Sequence, residues 1–477
     1  MTVRICVVGA GPGGYAAAVR AAQMGADVTL VDRDGVGGTC LNRGCVPTKV
    51  MKHTAEVLDK IGRSGTLGIR MDGRAEVSMV DVLARKARVI QDQARGIHNL
   101  LRSNKVQYVA GSASLEGADR VRVTPPEGGV HEVPADRIIL APGSAPTPLA
   151  SLPFDGESVI SSNDALELQE IPETLLIVGA GVIGCEFAFI FSALGTRVIL
   201  AEALPRVLCL PSVEADCSKV LQREMKKRKI QVMLNRTVST IDRQGKRCVV
   251  SVGPAVLPEE NGAGGERTET VTVDKVLVCI GRRAEPDDLS VEKAGVKTDG
   301  HGWIRVDAGM ATDAPGVYAI GDILGPSKPM LAHVASAEAA VAAENAMGGD
   351  RRMDYAVVPN AIFTTPEIAC VGLTEALAVE QGYVVKAAKV LFRSIAKAHI
   401  LDEIAGEAKI VCDASDGRIL GVHMIGPHAT DLIGEGALAV RMGCTLSDLA
   451  DTIHAHPTLG EIYPEVAYKA LGRSLHG

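Results

Sequence analysis

A strand, a glycine-rich turn, a helix and a second strand follow one another twice in this chain. The first copy, "VRICVVGAGPGGYAAAVRAAQMGADVTLVD", covers residues 3–32, and the second, "TLLIVGAGVIGCEFAFIFSALGTRVILAE", covers residues 174–202. Strands of a parallel sheet are buried on both faces and are therefore continuous apolar runs, as the flanking segments of both copies are. The repeated unit predicts an α/β fold with two similar domains.

The turn in each copy has the spacing G-x-G-x-x-G, and each glycine has a mechanical reason. The first permits the tight turn, the second lets a pyrophosphate approach the backbone, and the third lets the helix pack closely on the strand. The pyrophosphate lies at the helix N-terminus, where free N–H groups and the helix dipole favour anions. The predicted binding glycines are Gly9, Gly11 and Gly14 in the first copy and Gly179, Gly181 and Gly184 in the second.

An acidic residue ends the second strand of each copy, Asp32 in the first and Glu202 in the second. Such a carboxylate accepts a hydrogen bond from a ribose hydroxyl of a bound dinucleotide. Glu202 would repel the 2′-phosphate of NADP and therefore favours NAD, although Arg206 lies only four residues further along. Two copies predict two dinucleotides, and FAD with NAD is the usual combination in redox chemistry. Two purely structural turns are the alternative.

Composition limits the other function classes. The formal net charge is −7, and the most basic stretch, "REMKKRK" at residues 223–229, is typical of the end of a solvated helix, so we expect no nucleic-acid binding. No apolar run is long enough to predict a membrane span, and the N-terminus enters a strand without an export signal. We therefore expect an intracellular protein, in the cytoplasm.

Eleven cysteines are scattered through the chain, and only Cys40 and Cys45 form a close pair, in "GGTCLNRGCVPTK" at residues 37–49. The pair could be a structural disulfide, two metal ligands or a redox couple. A metal site would need further ligands at a matching spacing, and structural disulfides are disfavoured inside cells. A redox couple needs a setting that favours thiolate, which the start of the helix predicted after the pair provides. We predict a redox couple and no metal.

Several motifs carry a resemblance to a known family. The cysteine segment resembles the active-site motif of the flavin-dependent pyridine nucleotide–disulfide oxidoreductases of class I. The glycine turns, "IGRR", "YAIGD", "PMLAH" and the C-terminal "HAHPTLGEIYPE" follow in that family's order, so the resemblance covers essentially the whole chain. The C-terminal motif is similar to that of family members that oxidise a dihydrolipoyl group and reduce NAD.

The resemblance implies a homodimer with three domains. It implies an FAD-binding domain in residues 1–148 and 275–348, an NAD-binding domain in residues 149–274 and a C-terminal α+β dimerisation domain in residues 349–477. The fold class is then α/β, with two Rossmann-like dinucleotide-binding domains and an interface domain. Residues 253–268 are rich in Gly, Pro and Glu and predict a surface loop between hairpin strands.

The resemblance also implies roles in the reaction. Cys45 would lie next to the flavin, and Cys40 would exchange with substrate. His456 would be the acid–base residue, oriented by Glu461, and this pair would reach the cysteines of the other subunit. The chemistry supports that role independently, because histidine titrates in the range that thiol activation needs and a carboxylate fixes its tautomer.

Further residues match cofactor contacts of the family. Lys49 and Glu186 match a buried ion pair near the flavin ring, and Asp322 matches the acidic residue on the flavin ribityl chain. The predicted cofactor contacts are completed by Gly143 in "APGSAP", Gly281 in "IGRR" and Gly321 in "YAIGD".

Three positions depart from the family's usual residues. Gly460 stands where serine is common, Pro142 where threonine is usual, and Asp32 replaces the commoner glutamate. His454 lies two residues before His456, so on an extended segment both side chains would face the same side. We expect a structural role for His454.

The resulting prediction is an enzyme that oxidises protein-bound dihydrolipoamide and passes the electrons through the cysteine pair and FAD to NAD. The expected partner is the lipoyl-bearing protein of a 2-oxoacid dehydrogenase or glycine cleavage system, or a specialised lipoyl carrier. A related disulfide or metal-ion reductase is an alternative, against which the lack of a terminal cysteine pair argues. A non-catalytic flavoprotein subunit is a third possibility, but it would not need the cysteine pair together with the histidine and glutamate.

Overall fold

The computed structural model describes residues 2–73, 75–245, 247–255, 268–285 and 289–476. The strands within these residues are β1 Arg4–Val8, β2 Asp27–Asp32, β3 Gln107–Ala110, β4 Ser112–Leu115, β5 Arg120–Thr124, β6 His131–Pro134, β7 Arg137–Leu140, β8 Ala145–Pro146, β9 Val159–Ile160, β10 Thr174–Val178, β11 Arg197–Glu202, β12 Gln231–Leu234, β13 Arg236–Gln244, β14 Arg247–Pro254, β15 Glu269–Val273, β16 Lys275–Val278, β17 Arg282–Arg283, β18 Val317–Ala319, β19 Asn360–Ile362, β20 Glu367–Gly372, β21 Val385–Leu391, β22 Glu407–Asp413 and β23 Ile419–Gly426.

The helices are distributed between these strands. They are α1 Pro12–Gln23, α2 Gly38–Arg43, α3 Cys45–Gly62, α4 Met79–Ser103, α5 Ser162–Ala165, α6 Val182–Ala193, α7 Ala215–Lys227, α8 Ala332–Ala346, α9 Glu375–Glu380, α10 Ala396–Ile400, α11 Ala429–Met442, α12 Leu446–Asp451 and α13 Ile462–Ala470. None of the helices in the described segments combines the length and the apolar character that crossing a bilayer requires.

The first sheet contains the first glycine-turn unit. Its strand order is β18-β7-β1-β2-β3, and every neighbouring pair is parallel. The inner strands are almost fully buried, as their Val, Ile and Leu runs predict, and α1 packs through its small residues against α8. β18 comes from a segment some 300 residues after β1, so the chain leaves this sheet and later returns to it.

The second sheet contains the second unit and has the order β12-β11-β10-β16-β9, again with parallel neighbours. Helix α6 is apolar along nearly its whole length and is buried against this sheet. β16 pairs with β10, whereas the predicted division put residues 275–278 in the first domain. The strand needs the second sheet to satisfy its backbone, so the boundary must lie beyond residue 278. The domain division otherwise stays a prediction.

A hairpin extends the second unit. β13, β14 and β15 form an antiparallel sheet, as the prediction of hairpin strands around residues 253–268 requires. β14 continues to Pro254, so the start of the predicted loop is strand. Residues 256–267, most of that loop, lie outside the described residues.

The C-terminal part is built on an antiparallel sheet of order β19-β20-β23-β22-β21. Of its three inner strands, β22 and β23 are buried throughout. Helices α11 and α13 pack on this sheet, and Tyr463 and Phe392 are among its largest buried side chains. This sheet and its helices give the C-terminal part the α+β character that the resemblance implied.

Candidate active site

The first glycine turn is shaped by close backbone contacts. Gly9 has φ +98°, and a Cβ placed on it would lie 2.1 Å from the carbonyl oxygen of Ala141. A Cβ on Gly14 would lie 1.7 Å from the carbonyl oxygen of Gly9, so the helix can approach the strand only without one. A Cβ on Gly11 would meet nothing in the described segments closer than the Cα of Gly38, at 4.0 Å. The first and third glycines build the turn and the second leaves space, as a pyrophosphate cradle requires.

The second turn repeats this geometry. Gly179 has φ +101°, and its Cβ would lie 2.4 Å from the carbonyl oxygen of Cys279. A Cβ on Gly184 would lie 1.9 Å from the carbonyl oxygen of Gly179. At Gly181 an added Cβ would have no atom of the described chain within 4 Å. Both cradles therefore fit a dinucleotide pyrophosphate.

The two strand-end carboxylates hold equivalent positions. Asp32 Oδ2 accepts a hydrogen bond of 2.6 Å from the amide of Ala10, and Glu202 Oε2 accepts one of 2.5 Å from the amide of Ala180. Each carboxylate is thus hydrogen-bonded to the glycine turn of its own unit. Burial raises the pKa of Asp32 despite these hydrogen bonds. The arrangement places an acceptor where a ribose would lie beside the pyrophosphate.

Arg206 has its guanidinium engaged within the protein. Its Nη1 donates to the carbonyl of Leu208 at 2.8 Å and to Ser218 Oγ at 2.7 Å, and its Nη2 donates to the carbonyls of Leu210 and Val213. A guanidinium committed to four acceptors is not available to a 2′-phosphate. The second cradle therefore presents Glu202 without a balancing cation from Arg206.

The redox cysteines lie at the junction of two helices. Cys40 is on α2, a short helix that the sequence reasoning missed because its glycines and asparagine are typical of a loop. Cys45 is the first residue of α3, an 18-residue helix whose N-cap is Gly44. Free N–H groups and the positive end of the helix dipole therefore lie at the Cys45 sulfur.

The two thiols lie within hydrogen-bond reach of each other, and their pKa values are shifted in opposite directions. The hydrogen bond from Cys40 lowers the pKa of Cys45 to about 7, the charge of Lys49 acts in the same direction, and burial opposes both. The same hydrogen bond, together with burial, raises the pKa of Cys40 far above its usual value. Cys45 is consequently the thiol that ionises first.

Lys49 and Glu186 form an ion pair that joins the two glycine-turn units. Lys49 Nζ on α3 lies 2.8 Å from Glu186 Oε2 on α6, and Glu186 Oε1 also accepts the amide of Phe363 at 2.9 Å. The ammonium lies 4.3 Å from the centroid of the Phe363 ring. Phe363 belongs to the C-terminal part, so the pair is fixed by all three parts of the chain. No local pattern predicts the contribution of Phe363.

A second network connects two loops that the sequence singled out separately. Ser144 Oγ donates to Asp322 Oδ2 at 2.6 Å, and Arg282 Nε donates to the same hydroxyl at 2.6 Å. Arg282 also lies close enough to Cys45 for their charges to interact, and burial lowers the pKa of its guanidinium. Ser144 and Arg282 were not among the predicted site residues, although the quoted "APGSAP" and "IGRR" segments contain them.

The glycines predicted beside these motifs adopt backbone conformations that other residues rarely adopt. Gly143 has φ +79°, Gly281 has φ +131° and Gly321 has φ +75°. The amide of Gly321 donates to Glu338 Oε2 at 2.7 Å. These three positions turn the chain at the ends of β7, β16 and β18, on the carboxyl edges of the two parallel sheets. That edge is where open α/β sheets bind ligands.

His456 and Glu461 form a hydrogen-bonded pair, with 2.8 Å between His456 Nδ1 and Glu461 Oε1. The other oxygen of Glu461 accepts the amide of Thr458 at 2.8 Å. Burial alone would raise the pKa of Glu461, but these two partners outweigh it and the pKa is lowered. The His456 ring is 69% exposed, so it projects outward while its carboxylate partner holds one nitrogen.

The two histidines of this segment do not face the same side. The side chain of His454 is only 11% exposed and turns inward to Glu435 on α11, whereas His456 turns out. The expectation of a shared side fails because residues 452–458 form neither strand nor helix. Within the described chain, no hydrogen bond or ion pair joins His456 to Cys40 or Cys45.

Two glycine cradles, a dithiol at a helix start and a separate histidine–carboxylate pair together define a disulfide oxidoreductase that uses two dinucleotides. The family model described as pyridine nucleotide-disulphide oxidoreductase matches residues 3–339, and that of the family's dimerisation domain matches residues 358–467. The chain belongs to the pyridine nucleotide-disulphide oxidoreductases. The resemblance that the motifs predicted is confirmed.

Relatives within the family extend the match to the whole chain. The dihydrolipoyl dehydrogenase of Chlamydia muridarum is 40% identical over 472 residues, which cover 98% of this chain and 97% of the relative. That of Thermus scotoductus is 40% identical over 476 residues, covering 100% and 99%. The crystal structure of LpdA from Mycobacterium tuberculosis is similar with a TM-score of 0.88 at 28% identity, covering 98% of this chain and 99% of that one.

Membership of this family implies FAD and NAD(H) as cofactors, as predicted from the two glycine-turn units. The residues present fit that pair, because each turn leaves open backbone at its second glycine and closes with a carboxylate. Among the described residues, no cluster of three or more His, Cys, Asp or Glu side chains could hold a metal ion.

Proposed function

We propose that the protein is a dihydrolipoyl dehydrogenase, which oxidises a protein-bound dihydrolipoyl dithiol and reduces NAD⁺. The observation that carries the proposal is the Cys40–Cys45 pair with its split acidity, in a chain that matches dihydrolipoyl dehydrogenases along its whole length. A thiol whose pKa is about 7 is the better leaving group in thiol–disulfide exchange.

The first unit would hold FAD and the second NAD. FAD held by the first unit would supply a two-electron acceptor for the cysteine pair, and NAD⁺ held by the second would supply a hydride acceptor. The FAD contacts would come from Gly9, Gly11, Gly14, Asp32, Lys49, Gly143, Glu186, Gly321 and Asp322, and the NAD contacts from Gly179, Gly181, Gly184, Glu202 and Gly281.

The exchange itself is carried by the cysteines. In the oxidised protein Cys40 and Cys45 share a disulfide, and a substrate thiolate attacks the Cys40 sulfur, which breaks that bond and releases Cys45 as thiolate. The second substrate thiolate then attacks the substrate sulfur that is bound to Cys40. The bond from that sulfur to Cys40 breaks, Cys40 leaves and takes up a proton, and the lipoyl group is released as a cyclic disulfide. The pair has gained two electrons, and Lys49 stabilises the negative charge on Cys45.

His456 would remove the proton from the attacking thiol. Its Nδ1 donates to Glu461, which leaves Nε2 with a free lone pair that can accept a proton. Because the contacts of one chain do not join this ring to the cysteines, we propose that it serves the cysteine pair of the second subunit in a homodimer. The dimerisation domain at residues 358–467 carries His456 and Glu461, which supports a shared site.

The test is an assay of the purified protein with dihydrolipoamide and NAD⁺, beside Cys45→Ser and Cys444→Ser variants. We expect NADH formation by the unchanged protein, a loss of about a thousandfold or more in Cys45→Ser with the flavin retained, and unimpaired turnover in Cys444→Ser. Full turnover by Cys45→Ser would refute the mechanism. An unchanged protein that reduces other disulfides or metal ions with NAD(P)H, but does not oxidise dihydrolipoamide, would favour a related reductase.

The physiological partner would be the lipoyl-bearing protein of a 2-oxoacid dehydrogenase or glycine cleavage system, in the cytoplasm. Comparing kcat/KM for several purified lipoyl carriers with that for free dihydrolipoamide would identify it. A carrier that gives no advantage over free dihydrolipoamide would not be the partner.

A further inference from the structure

The segment that carries the histidine–carboxylate pair places one side chain, that of His454, inward. Residues 451–457 are exposed with the exception of His454, whose side chain is 11% exposed. No helix or strand supports residues 452–458. The position of His456 therefore depends on what holds His454 as well as on its own hydrogen bond to Glu461.

His454 is held by hydrogen bonds at both ring nitrogens. Nδ1 lies 2.9 Å from the carbonyl oxygen of Thr452, and Nε2 lies 2.9 Å from Glu435 Oε1. The carbonyl oxygen and the carboxylate oxygen are both acceptors, so a hydrogen on either ring nitrogen has a fixed partner. Two fixed partners determine the plane of the ring as well as its position.

Packing reinforces these hydrogen bonds. The His454 ring stacks on Tyr463, with 6.5 Å between centroids and 19° between planes. The Tyr463 hydroxyl donates to the carbonyl of Leu432 at 2.7 Å and accepts the amide of Gly436 at 3.0 Å, so it is itself tied to α11. His454 is therefore clamped between α11, which carries Glu435, and the start of α13.

The clamp lies directly beside the predicted acid–base pair. A Cβ placed on Gly460 would lie 3.4 Å from Cδ2 of the His454 ring, and Gly460 is the residue before Glu461. The charge of a protonated His454 also acts on Glu461. A displaced His454 ring would therefore release the backbone before His456 at Thr452 and open space beside Gly460, the residue that precedes Glu461.

We propose that Glu435 and His454 are positioning residues that hold the His456–Glu461 pair in its working geometry. Neither touches the cysteines or is needed as a proton acceptor. They fix the segment so that the exposed His456 ring needs no reorganisation before it accepts a proton. Misplacement of a catalytic group by about 1 Å can cost about a hundredfold in rate.

The experiment rests on the proposed function and separates two reactions of the same holoenzyme. Oxidation of dihydrolipoamide by NAD⁺ needs His456, whereas reduction of ferricyanide by NADH draws electrons from the flavin and does not. We expect His454→Ala and Glu435→Ala each to lower kcat for dihydrolipoamide oxidation about tenfold or more, with ferricyanide reduction within about twofold of the unchanged protein. Because both residues act through one contact, the double variant should lose no more than the worse single variant.

Conservative variants test which hydrogen bond matters. Glutamine at residue 454 keeps a donor near the place of Nε2, whereas asparagine keeps one near the place of Nδ1. We expect His454→Gln to retain more dithiol oxidation than His454→Asn, because the bond to α11 provides the anchor. His476→Gln is the matched control, since His476 forms another histidine–glutamate pair, with its Nδ1 2.7 Å from Oε1 of Glu465 on α13. It should change neither reaction.

Three results would overturn the proposal. They are an equal fall in both reactions, full dihydrolipoamide oxidation in His454→Ala, or losses that add in the double variant. An unchanged protein without dihydrolipoamide oxidation would instead refute the proposed function.

Discussion

The two glycine-turn units share one backbone design but differ in what covers them. In the first, Gly38 of the cysteine segment lies against the turn, and a Cβ on Gly38 would lie 2.6 Å from the Cα of Gly11. In the second unit, a Cβ on Gly181, the counterpart of Gly11, would have no atom of the described chain within 4 Å. Within the described residues, the segment that carries the cysteine pair lies against the second glycine of the first cradle, and no atom lies as close to the second glycine of the other.

This difference matches two kinds of nucleotide use. A cofactor that stays bound through every turnover benefits from an enclosed site, whereas a coenzyme that is released after each reaction needs an open one. The cysteine segment follows β2 of the first unit directly, through α2 to α3, and this places Gly38 against the turn of that unit. FAD in the first unit and NAD in the second is the assignment that this geometry supports.

The strongest test of the comparison adds one methyl group to each unit. Gly38→Ala meets backbone atoms of Gly11 and has an unfavourable φ of +54°, a strain of about 1–3 kcal/mol, so we expect most of the FAD to be lost and the thermal midpoint to fall. Gly181→Ala meets no protein atom in the described segments, so FAD and stability should persist while KM for NAD⁺ rises about tenfold. Flavin absorbance after gel filtration and KM measure both. Equal FAD loss in the two variants would contradict the comparison.

Removing the charge of each strand-end carboxylate should weaken the binding of a different cofactor in each unit. Glu202→Gln should raise KM for NAD⁺ about tenfold with FAD retained, and Asp32→Asn should instead weaken FAD retention, because each residue closes its own cradle. NADP⁺ should remain a poor substrate of Glu202→Gln, because Arg206 is engaged by Leu208, Ser218 and its other acceptors. Steady-state kinetics with both coenzymes provide the measurement, and efficient use of NADP⁺ would show that Arg206 is available.

The two members of the Lys49–Glu186 ion pair should shift the pKa of Cys45 in opposite directions. The Cys40 hydrogen bond and the Lys49 charge hold the pKa of Cys45 at about 7, and Glu186 acts against them. Lys49→Met removes the cation that stabilises the thiolate, so the pKa should rise by about one unit and the thiolate fraction at neutral pH should fall. Glu186→Gln should lower the pKa.

The pH dependence of the ultraviolet thiolate absorbance of the reduced protein, with Cys45→Ser subtracted, measures this shift. A shift of the same sign in both variants would mean that the pair acts through structure rather than charge.

The smallest effect is expected at Gly460. An added Cβ would lie 3.4 Å from the His454 ring, an ordinary contact, and the backbone there is not left-handed. Gly460→Ala should therefore change kcat for dihydrolipoamide oxidation by less than about threefold, with FAD content and KM for NAD⁺ unaffected. A tenfold loss would show that the segment tolerates no contact at this position.

Much of the candidate site could be predicted because its parts are local motifs. Each glycine turn, each strand-end carboxylate, the cysteine pair and the His456–Glu461 pair lies within about 25 residues of chain, where spacing and chemistry are visible together. The fold class followed from the same units. By contrast, the predicted division placed residues 275–278 with the first unit, whereas β16 pairs with β10 of the second sheet, because a short apolar strand fits either parallel sheet equally well.

The sequence alone determined that two dinucleotide cradles and one dithiol exist, since glycine spacing, apolar runs and a cysteine pair act through neighbouring residues. Only the tertiary structure decided which cradle is covered, that Arg206 is engaged within the protein, that Phe363 fixes Glu186, and that Glu435 anchors His454. The physical reason is that each of these contacts joins residues from different elements, where packing of the folded chain and not any local pattern sets the partner.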